Sequence, residues 1–278
     1  MELAPKTVNS QRTTNAADVR RLIQELQPVI RGIVEKLGGF PGRLIRPEEA
    51  TLPASTPDEG ILRLIDESRL KPDATPSDIE EMCAQAREYG FGYVLANPIY
   101  LPLAAELVAG SDVGPVGVVA FPFGASPLAA KAREARQAVQ DGAREIDMVL
   151  PIGELRAGNY RNVVLDILTV VREAHAAGVR VKVIIEPGYL DLRQMVAGCL
   201  AVLEAGADFV KDSTGFAPLG ATVENVALMR SIVGANIGVK AAGGIRTLAD
   251  SRALIAAGAT RLGTSSGAKI AREIAEAG

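Results

Sequence analysis

The 278-residue chain contains no tryptophan, and aromatic residues make up only 4% of it. Its formal net charge is −3, so it advertises no basic face. Nucleic acid is therefore not an expected partner, because binding it takes phosphate-neutralising charge and, for single strands, aromatic stacking surfaces. There is one histidine, His175. A multi-histidine zinc site is excluded on that count. A Ser-His-Asp triad would have to use His175, which falls in a helical pattern away from the strand ends and is expected on a helix surface. Cys83 and Cys199 lie far apart in expected helices, and no C-x-x-C occurs, so neither a disulfide framework nor a zinc cluster is indicated. No apolar run approaches the ~18 residues of a membrane span, and residues 1–17 are polar with no apolar signal core. The expectation is a soluble, cytoplasmic protein that keeps off the membrane.

What the chain does have is aliphatic residues in quantity. Hydrophobic residues are 48% of the total, and Ala, Gly, Val, Ile and Leu dominate, as suits parallel strands buried by helices on both sides. Residues 1–14 are expected to be disordered. Residues 15–37 carry one apolar stripe (Val19, Leu22, Leu26, Ile30 and Val34 among others) and predict an amphipathic helix, with Pro28 placed to kink it. Packing on the outside of the main domain is the favoured role, and an oligomer contact is the alternative. Residues 38–59 are rich in Gly, Pro, Ser and Thr and read as a connector.

From residue 61 short apolar runs alternate with helical patterns. Strands are expected at 62–65, 93–96, 117–121, 145–150, 181–185, 209–211, 238–241 and 261–264, each followed by a helix. Gly90, Gly142, Gly178, Gly206 and Gly258 suit helix C-caps before the next strand. Eight strand–helix units make an α/β chain of the (β/α)8 TIM-barrel type, here with an extra N-terminal helix: an N-terminal extension over 1–60 and a barrel over 61–278. An open doubly wound sheet would normally show G-x-G-x-x-G after its first strand, and none occurs there.

In such a barrel the active site lies at the C-terminal ends of the strands. The polar residues that end apolar runs are Asp66, Asn97, Asp147, Lys182, Glu186, Lys211, Lys240 and the pair Ser265-Ser266, and all are expected to face one bowl, with Asp66 among the substrate contacts. Lys182, Lys211 and Lys240 are evenly spaced, 29 residues apart each time, close to one βα unit. A single lysine at a strand end is usually a solvent-reaching or paired residue. Three on successive strands, with Asp147, point to chemistry. Lys211 is the candidate nucleophile. An amine attacks a carbonyl only when neutral, and bringing a lysine from ~10.4 to ~7 takes about 4–5 kcal/mol of bias against its charged form. Burial and a second ammonium, Lys240, both push that way. Asp147 is suited to moving protons, or to pairing with Lys182 or Lys240. Gly243-Gly244, then Gly263-Thr264-Ser265-Ser266-Gly267 opening a helix, read as a phosphate cradle to which Arg246 contributes.

At these residues the sequence resembles the deoxyribose-phosphate aldolases, class I aldolases of the DeoC/FbaB type. The matching stretches are L-K-P-D-A-T (70–75), E-I-D-M-V-L-P-I-G (145–153), V-K-V-I-I-E (181–186), F-V-K-D-S-T-G-F (209–216), V-K-A-A-G-G-I-R-T (239–247) and G-T-S-S-G (263–267). They run in the family's order across 61–278. The resemblance implies a Schiff base on Lys211, Lys240 as the lysine that lowers its pKa, Asp147 in a proton relay and Lys182 as an accessory lysine. It assigns phosphate binding to Gly215, Gly243, Gly244, Gly263, Ser265 and Ser266. The implied reaction is reversible cleavage of 2-deoxy-D-ribose 5-phosphate to acetaldehyde and D-glyceraldehyde 3-phosphate, with no metal or cofactor, in a homo-oligomer (dimer or tetramer). Three positions depart from the family's pattern: Asp66-Glu67-Ser68 replaces D-H-T, Asp212 replaces Thr after the lysine, and Glu186-Pro187 replaces E-T. Alternation turns Asp212 away from Lys211, yet a nearby carboxylate favours a charged amine and repels a phosphate. Two alternatives stay open, a Schiff-base aldolase of another phosphorylated sugar and a non-catalytic sugar-phosphate-binding paralogue.

Overall fold

The computed structural model describes residues 15–39, 42–52 and 56–277. The disorder expected over 1–14 lies outside the described residues. Eight parallel strands pair in chain order and close on themselves: β1 (Ile65–Arg69), β2 (Tyr93–Ala96), β3 (Gly114–Val119), β4 (Glu145–Val149), β5 (Arg180–Ile184), β6 (Phe209–Lys211), β7 (Gly238–Ala242) and β8 (Arg261–Thr264). Three helices precede the barrel, α1 (Ala16–Lys36), α2 (Pro47–Ala50) and α3 (Asp58–Leu62). The outer ring is α4 (Pro76–Tyr89), α5 (Leu101–Leu107), α6 (Leu128–Gln140), a short α7 (Ile152–Arg156), α8 (Tyr160–His175), α9 (Leu192–Glu204), α10 (Val223–Val233), α11 (Leu248–Ala256) and α12 (Gly267–Ala277). Local signals start and stop these helices. Capping boxes open α4, α9 and α11 (Thr75 with Asp78, Asp191 with Gln194, Thr247 with Asp250), and the five glycines expected as C-caps all adopt positive φ.

The first strand lies later than the sequence suggests. Residues 58–62 are helical, with Ile61 buried in the core, and β1 begins at Ile65. Little in Ile65-Asp66-Glu67-Ser68-Arg69 favours a strand by propensity. It is one because its backbone pairs with β2 and β8 on either side and its polar side chains find buried partners.

Outward residues of the strands (Ile146, Met148, Val181, Val183, Val210, Val239) are wholly buried under the helices. The inward face is divided. Leu95, Val116 and Val118 form a small separate apolar cluster with Tyr93, on the side of β2 and β3. The rest of the interior, from β4 round to β1, is filled by charged side chains where barrels normally stack branched apolar layers.

Helix α1 runs through Pro28 and lies against α8 and α9. Leu26, Ile30 and Val34 are buried in that contact, and Glu204 at the end of α9 takes hydrogen bonds from Arg31 (3.0 and 2.9 Å) and Gln27 (2.7 Å). His175 is not on a helix surface. Its Nε2 is 2.8 Å from Asp208 Oδ2 and its Nδ1 2.7 Å from the Gly42 carbonyl. Asp208 also accepts from Leu44 N (2.7 Å) and Ile45 N (2.8 Å), so a buried His–Asp pair ties the connector to the floor of the barrel. The helical pattern gave no sign of this, because the partners come from segments over 30 residues away in sequence.

Since Ile30 is wholly buried within a single chain, Ile30→Ala should destabilise the fold by about 2–4 kcal/mol. Urea unfolding measures it, and the loss should be the same at every protein concentration. A loss that appears only where the protein self-associates would make α1 an oligomer contact instead.

Candidate active site

Strand register assembles the site. Asp147 on β4 stands beside Lys182 on β5, and Lys211 on β6 beside Lys240 on β7. Because side chains alternate, all four point into the barrel. Asp147 is their hub. Its Oδ1 accepts from Lys182 Nζ at 2.8 Å, and its Oδ2 accepts from both Lys211 Nζ (2.8 Å) and Lys240 Nζ (2.7 Å). Lys240 Nζ also lies 2.5 Å from Asp66 Oδ2, and Lys182 Nζ lies 2.5 Å from Glu145 Oε2.

Below this layer lies a second one. Glu145 accepts from Arg261 (2.9 Å) and pairs with Arg180 (2.6 Å), which reaches Glu49 of α2 at 2.7 Å. The Arg261 guanidinium stacks 4.0 Å from the Tyr93 ring centroid. Gly238 and Gly114 make room for the aromatic rings of this layer: a Cβ at Gly238 would lie 2.1 Å from the Phe209 ring.

Electrostatics follow from that packing. Burial penalises the Asp147 carboxylate, but Lys182, Lys211 and Lys240 outweigh it and hold Asp147 well below the usual range. For Lys182, burial is outweighed by Asp147, Glu145 and Asp66, and its affinity for a proton rises. Lys240 goes the other way. Burial, with Lys211 and Lys182 nearby, brings it down to about 8 despite Asp147 and Asp66. Near neutral pH Lys240 therefore gives up its proton more readily than an ordinary lysine.

Of the three lysines only Lys211 reaches the open cleft, which has a volume of about 890 Å³. Gly215, Gly243, Gly244, Arg246, Gly263, Ser265 and Ser266 line the same cleft, so the expected cradle and the expected nucleophile share one space. The cradle is built by close backbone approach. Gly243 has φ +91°, and a Cβ on Gly220 would lie 2.4 Å from the Gly243 carbonyl oxygen. Thr264 Oγ1 donates to Ile245 O (2.7 Å) and accepts from Ser266 N (2.9 Å), tying the loop after β7 to the one after β8.

Three other expected residues lie elsewhere. Glu186 is buried and absent from the cleft wall, and its Oε2 accepts from Thr214 N at 3.0 Å. Asp66 is not at a strand mouth. It is the second residue of β1, wholly buried, absent from the cleft wall, and bonded to Lys240 and Arg261. The misplacement of β1 in the sequence reading moved it upward. Asn97 donates to the Leu70 carbonyl (3.1 Å) and serves the loop rather than the bowl. Conversely, Glu145, Arg180 and Arg261 were passed over. Their signal was present, since E-I-D puts Glu145 on the face of Asp147 and R-V-K puts Arg180 on that of Lys182. Among the described residues no group of three or more His, Cys, Asp or Glu side chains is disposed to hold a metal ion. Nor is any helix among them long and apolar enough to cross a membrane.

Comparison with known proteins agrees with this arrangement. Residues 61–275 match the family model described as DeoC/LacD family aldolase. The chain belongs to the DeoC/LacD aldolase family. It is 49% identical over 214 residues to the deoxyribose-phosphate aldolase of Thermoanaerobacter sp. (strain X514), spanning 77% of this chain and 96% of that one. The deoxyribose-phosphate aldolase of Thermococcus gammatolerans is 51% identical over 212 residues, 76% of this chain and 94% of that one. Among solved structures, a putative deoxyribose-phosphate aldolase from Coccidioides immitis superposes with a TM-score of 0.78 at 38% identity, covering 90% of this chain and 97% of the other. A deoxyribose phosphate aldolase from Aeropyrum pernix, described as tetrameric, superposes at 0.74 with 27% identity over 95% and 100% of the two chains.

Asp212, which departs from the family's pattern, is wholly buried behind the cradle. Its Oδ1 accepts from Ser213 N (2.5 Å) and Ala242 N (2.8 Å), so it clamps the loop after β6 to the end of β7, while Oδ2 has no hydrogen-bond partner. Burial raises its carboxyl to about 7, against the pull of those two N–H groups and of Lys211. The folded state thus holds a proton that the unfolded chain releases near pH 4, so Asp212 erodes stability progressively from pH ~4 to ~7. Asp212→Asn should be more stable than the parent at pH 8, by on the order of 2–4 kcal/mol, with the gap narrowing below pH ~7 and closing near pH ~4. Chemical unfolding across that range measures it, and a gap that widens toward acid would refute the assignment.

Proposed function

We propose that this chain is a Schiff-base aldolase that reversibly cleaves 2-deoxy-D-ribose 5-phosphate to acetaldehyde and D-glyceraldehyde 3-phosphate. One observation carries the reading: of the lysines gathered on Asp147, Lys211 alone opens onto the cleft that holds the glycine-rich cradle. The near-50% identity to named deoxyribose-phosphate aldolases supports the choice of substrate.

In this reading the phosphate sits on the backbone of Gly215, Gly243 and Gly244 and at Ser265 and Ser266, where glycine N–H groups and the N-terminus of α12 favour negative charge. The aldehyde carbon of the open-chain sugar then faces Lys211. The neutral Lys211 amine adds to it, and water leaves to give a protonated imine. That imine withdraws the electron pair of the C2–C3 bond as the proton leaves the C3 hydroxyl, which releases glyceraldehyde 3-phosphate and an enamine. Protonation of the enamine carbon and hydrolysis of the acetaldehyde imine return Lys211. Asp147 is buried and has no face on the cleft, so protons pass between it and the substrate through Lys211, Lys240 or a solvent molecule. Lys182 and Glu145 fix Asp147 rather than touch substrate. Assembly into a homo-oligomer, as described for the Aeropyrum pernix relative, belongs to the same reading.

Borohydride reduction in the presence of 2-deoxyribose 5-phosphate should leave a stable adduct on the peptide holding Lys211, seen by mass spectrometry and absent from Lys211→Ala. Lys240→Met should slow trapping at least ~10-fold, because a charge neighbour and proton partner is lost. A folded protein that gives no adduct refutes the proposed substrate. A screen of other phosphorylated aldehydes then separates an aldolase of different specificity from a binder without turnover.

A further inference from the structure

Arg69 ends β1 and lines the cleft beside Ser265, Ser266 and Arg246. Its placement follows from the register of β1 on β8, where Glu67 pairs with Thr264 and Ser68 Oγ donates to the Thr264 carbonyl at 3.0 Å. Both hydrogen bonds of its guanidinium leave from Nη1, to Glu67 Oε1 (2.8 Å) and to the Ser68 carbonyl (3.0 Å). Among the described residues Nε and Nη2 donate to no protein acceptor. The anchor is rigid. Glu67 is 1% exposed, and its other oxygen accepts from Gly267 N at 2.9 Å, where α12 begins. Any side chain at Gly267 would break that contact, since its Cβ would lie 2.5 Å from Glu67 Oε2 and 2.8 Å from the Phe91 ring. Burial pushes the Glu67 carboxyl up, and Arg69 and the Gly267 N–H pull against it.

We propose that Arg69, oriented by Glu67, is a ligand of the substrate phosphate and sets the preference for phosphorylated over unphosphorylated sugars. The proposal rests on the aldolase reading above. A guanidinium held at Nη1 by a buried carboxylate and a backbone carbonyl presents its Nε and Nη2 in a fixed direction, and that fork of N–H donors matches two oxygens of a phosphate. An arginine serving only to neutralise Glu67 has no need of the cleft, yet this side chain keeps 22% of its surface exposed and forms part of the cleft wall. Glu67 acts through Arg69. It stands behind the guanidinium with both oxygens engaged, so it directs the cation without offering a free oxygen to repel the anion.

The test compares kcat/KM for 2-deoxyribose 5-phosphate with kcat/KM for 2-deoxyribose in the parent, Arg69→Ala, Arg69→Lys, Glu67→Ala and Glu67→Gln. In Arg69→Ala the ratio should fall about 10- to 100-fold, mostly through KM for the phosphorylated sugar. Arg69→Lys should recover part of it, as a point charge without the fork. Glu67→Gln, which keeps a hydrogen-bond acceptor for Arg69, should lose less than Glu67→Ala. A ratio within twofold of the parent in both Arg69 variants overturns the proposal. Thermal stabilisation by inorganic phosphate gives a readout that needs no turnover. It should be smaller in both Arg69 variants than in the parent, and equal stabilisation also overturns the proposal. If the parent neither cleaves nor traps the sugar phosphate, the aldolase reading fails and the phosphate comparison alone decides the role of Arg69.

Discussion

Everything at this site depends on one oxygen being shared. Asp147 Oδ2 accepts from both Lys211 and Lys240, and two ammonium groups cannot be held cheaply on one carboxylate oxygen away from water. The competition is one-sided. Lys240 is wholly buried and also meets Asp66, whereas Lys211 pairs with Asp147 and opens onto the cleft. The barrel interior is positive in excess, because Lys182, Lys211, Lys240, Arg180 and Arg261 face Asp66, Glu145 and Asp147. Such an interior presses on the proton of Lys240, and it favours the approach of an anionic substrate from above. The same imbalance therefore places a readily deprotonated amine, Lys240, beside Lys211 and attracts an anionic substrate.

Holding that arrangement requires walls that do not relax. The amines are fixed by carboxylates, the carboxylates by Arg261 and Arg180, and the arginines by aromatic faces, Tyr93 and Phe209 among them. The cradle above is fixed differently, by backbone. Ala221 N donates to Gly243 O at 2.9 Å and joins the loops after β6 and β7, Asp212 ties the first of them to the end of β7, and Thr264 joins the loops after β7 and β8. Side-chain ion pairs thus set the chemistry at depth, while glycine-permitted backbone contacts set the anion site at the mouth. Lys211 stands where the two meet.

The barrel was legible because its signal is repeated. Apart from β1, the strands are short runs with an aliphatic core, the longer helices carry a stripe and several carry caps, and the closing glycines recur at the right spacing. The lysines were legible for the same reason, since even spacing on successive strands needs no knowledge of contacts. What failed was specific to places where long-range partners overrule local pattern. β1 has almost no strand propensity and is fixed by its neighbours, so its start was misjudged and Asp66 was placed at the mouth. His175 looks like a surface residue in its own helix and is buried only because Gly42 and Asp208 reach it. Arg180, Glu145 and Arg261 follow from alternation, but a charged residue at the start of a strand resembles an ordinary solvated end until the barrel closes over it.

The N-terminal extension belongs to this account more closely than its sequence suggests. Glu49 of α2 pairs with Arg180, Arg180 with Glu145, Glu145 with Lys182 and Lys182 with Asp147, an unbroken run of ion pairs from the connector to the nucleophile's partner. The His175–Asp208 pair holds the connector in place to make the first of those contacts. A half-buried arginine such as Arg180 is costly without carboxylates to pair with, and only one of its two comes from the barrel. The extension therefore completes the floor of the barrel electrostatically. It helps to balance an excess of buried positive charge that the catalytic arrangement, by its nature, leaves unbalanced.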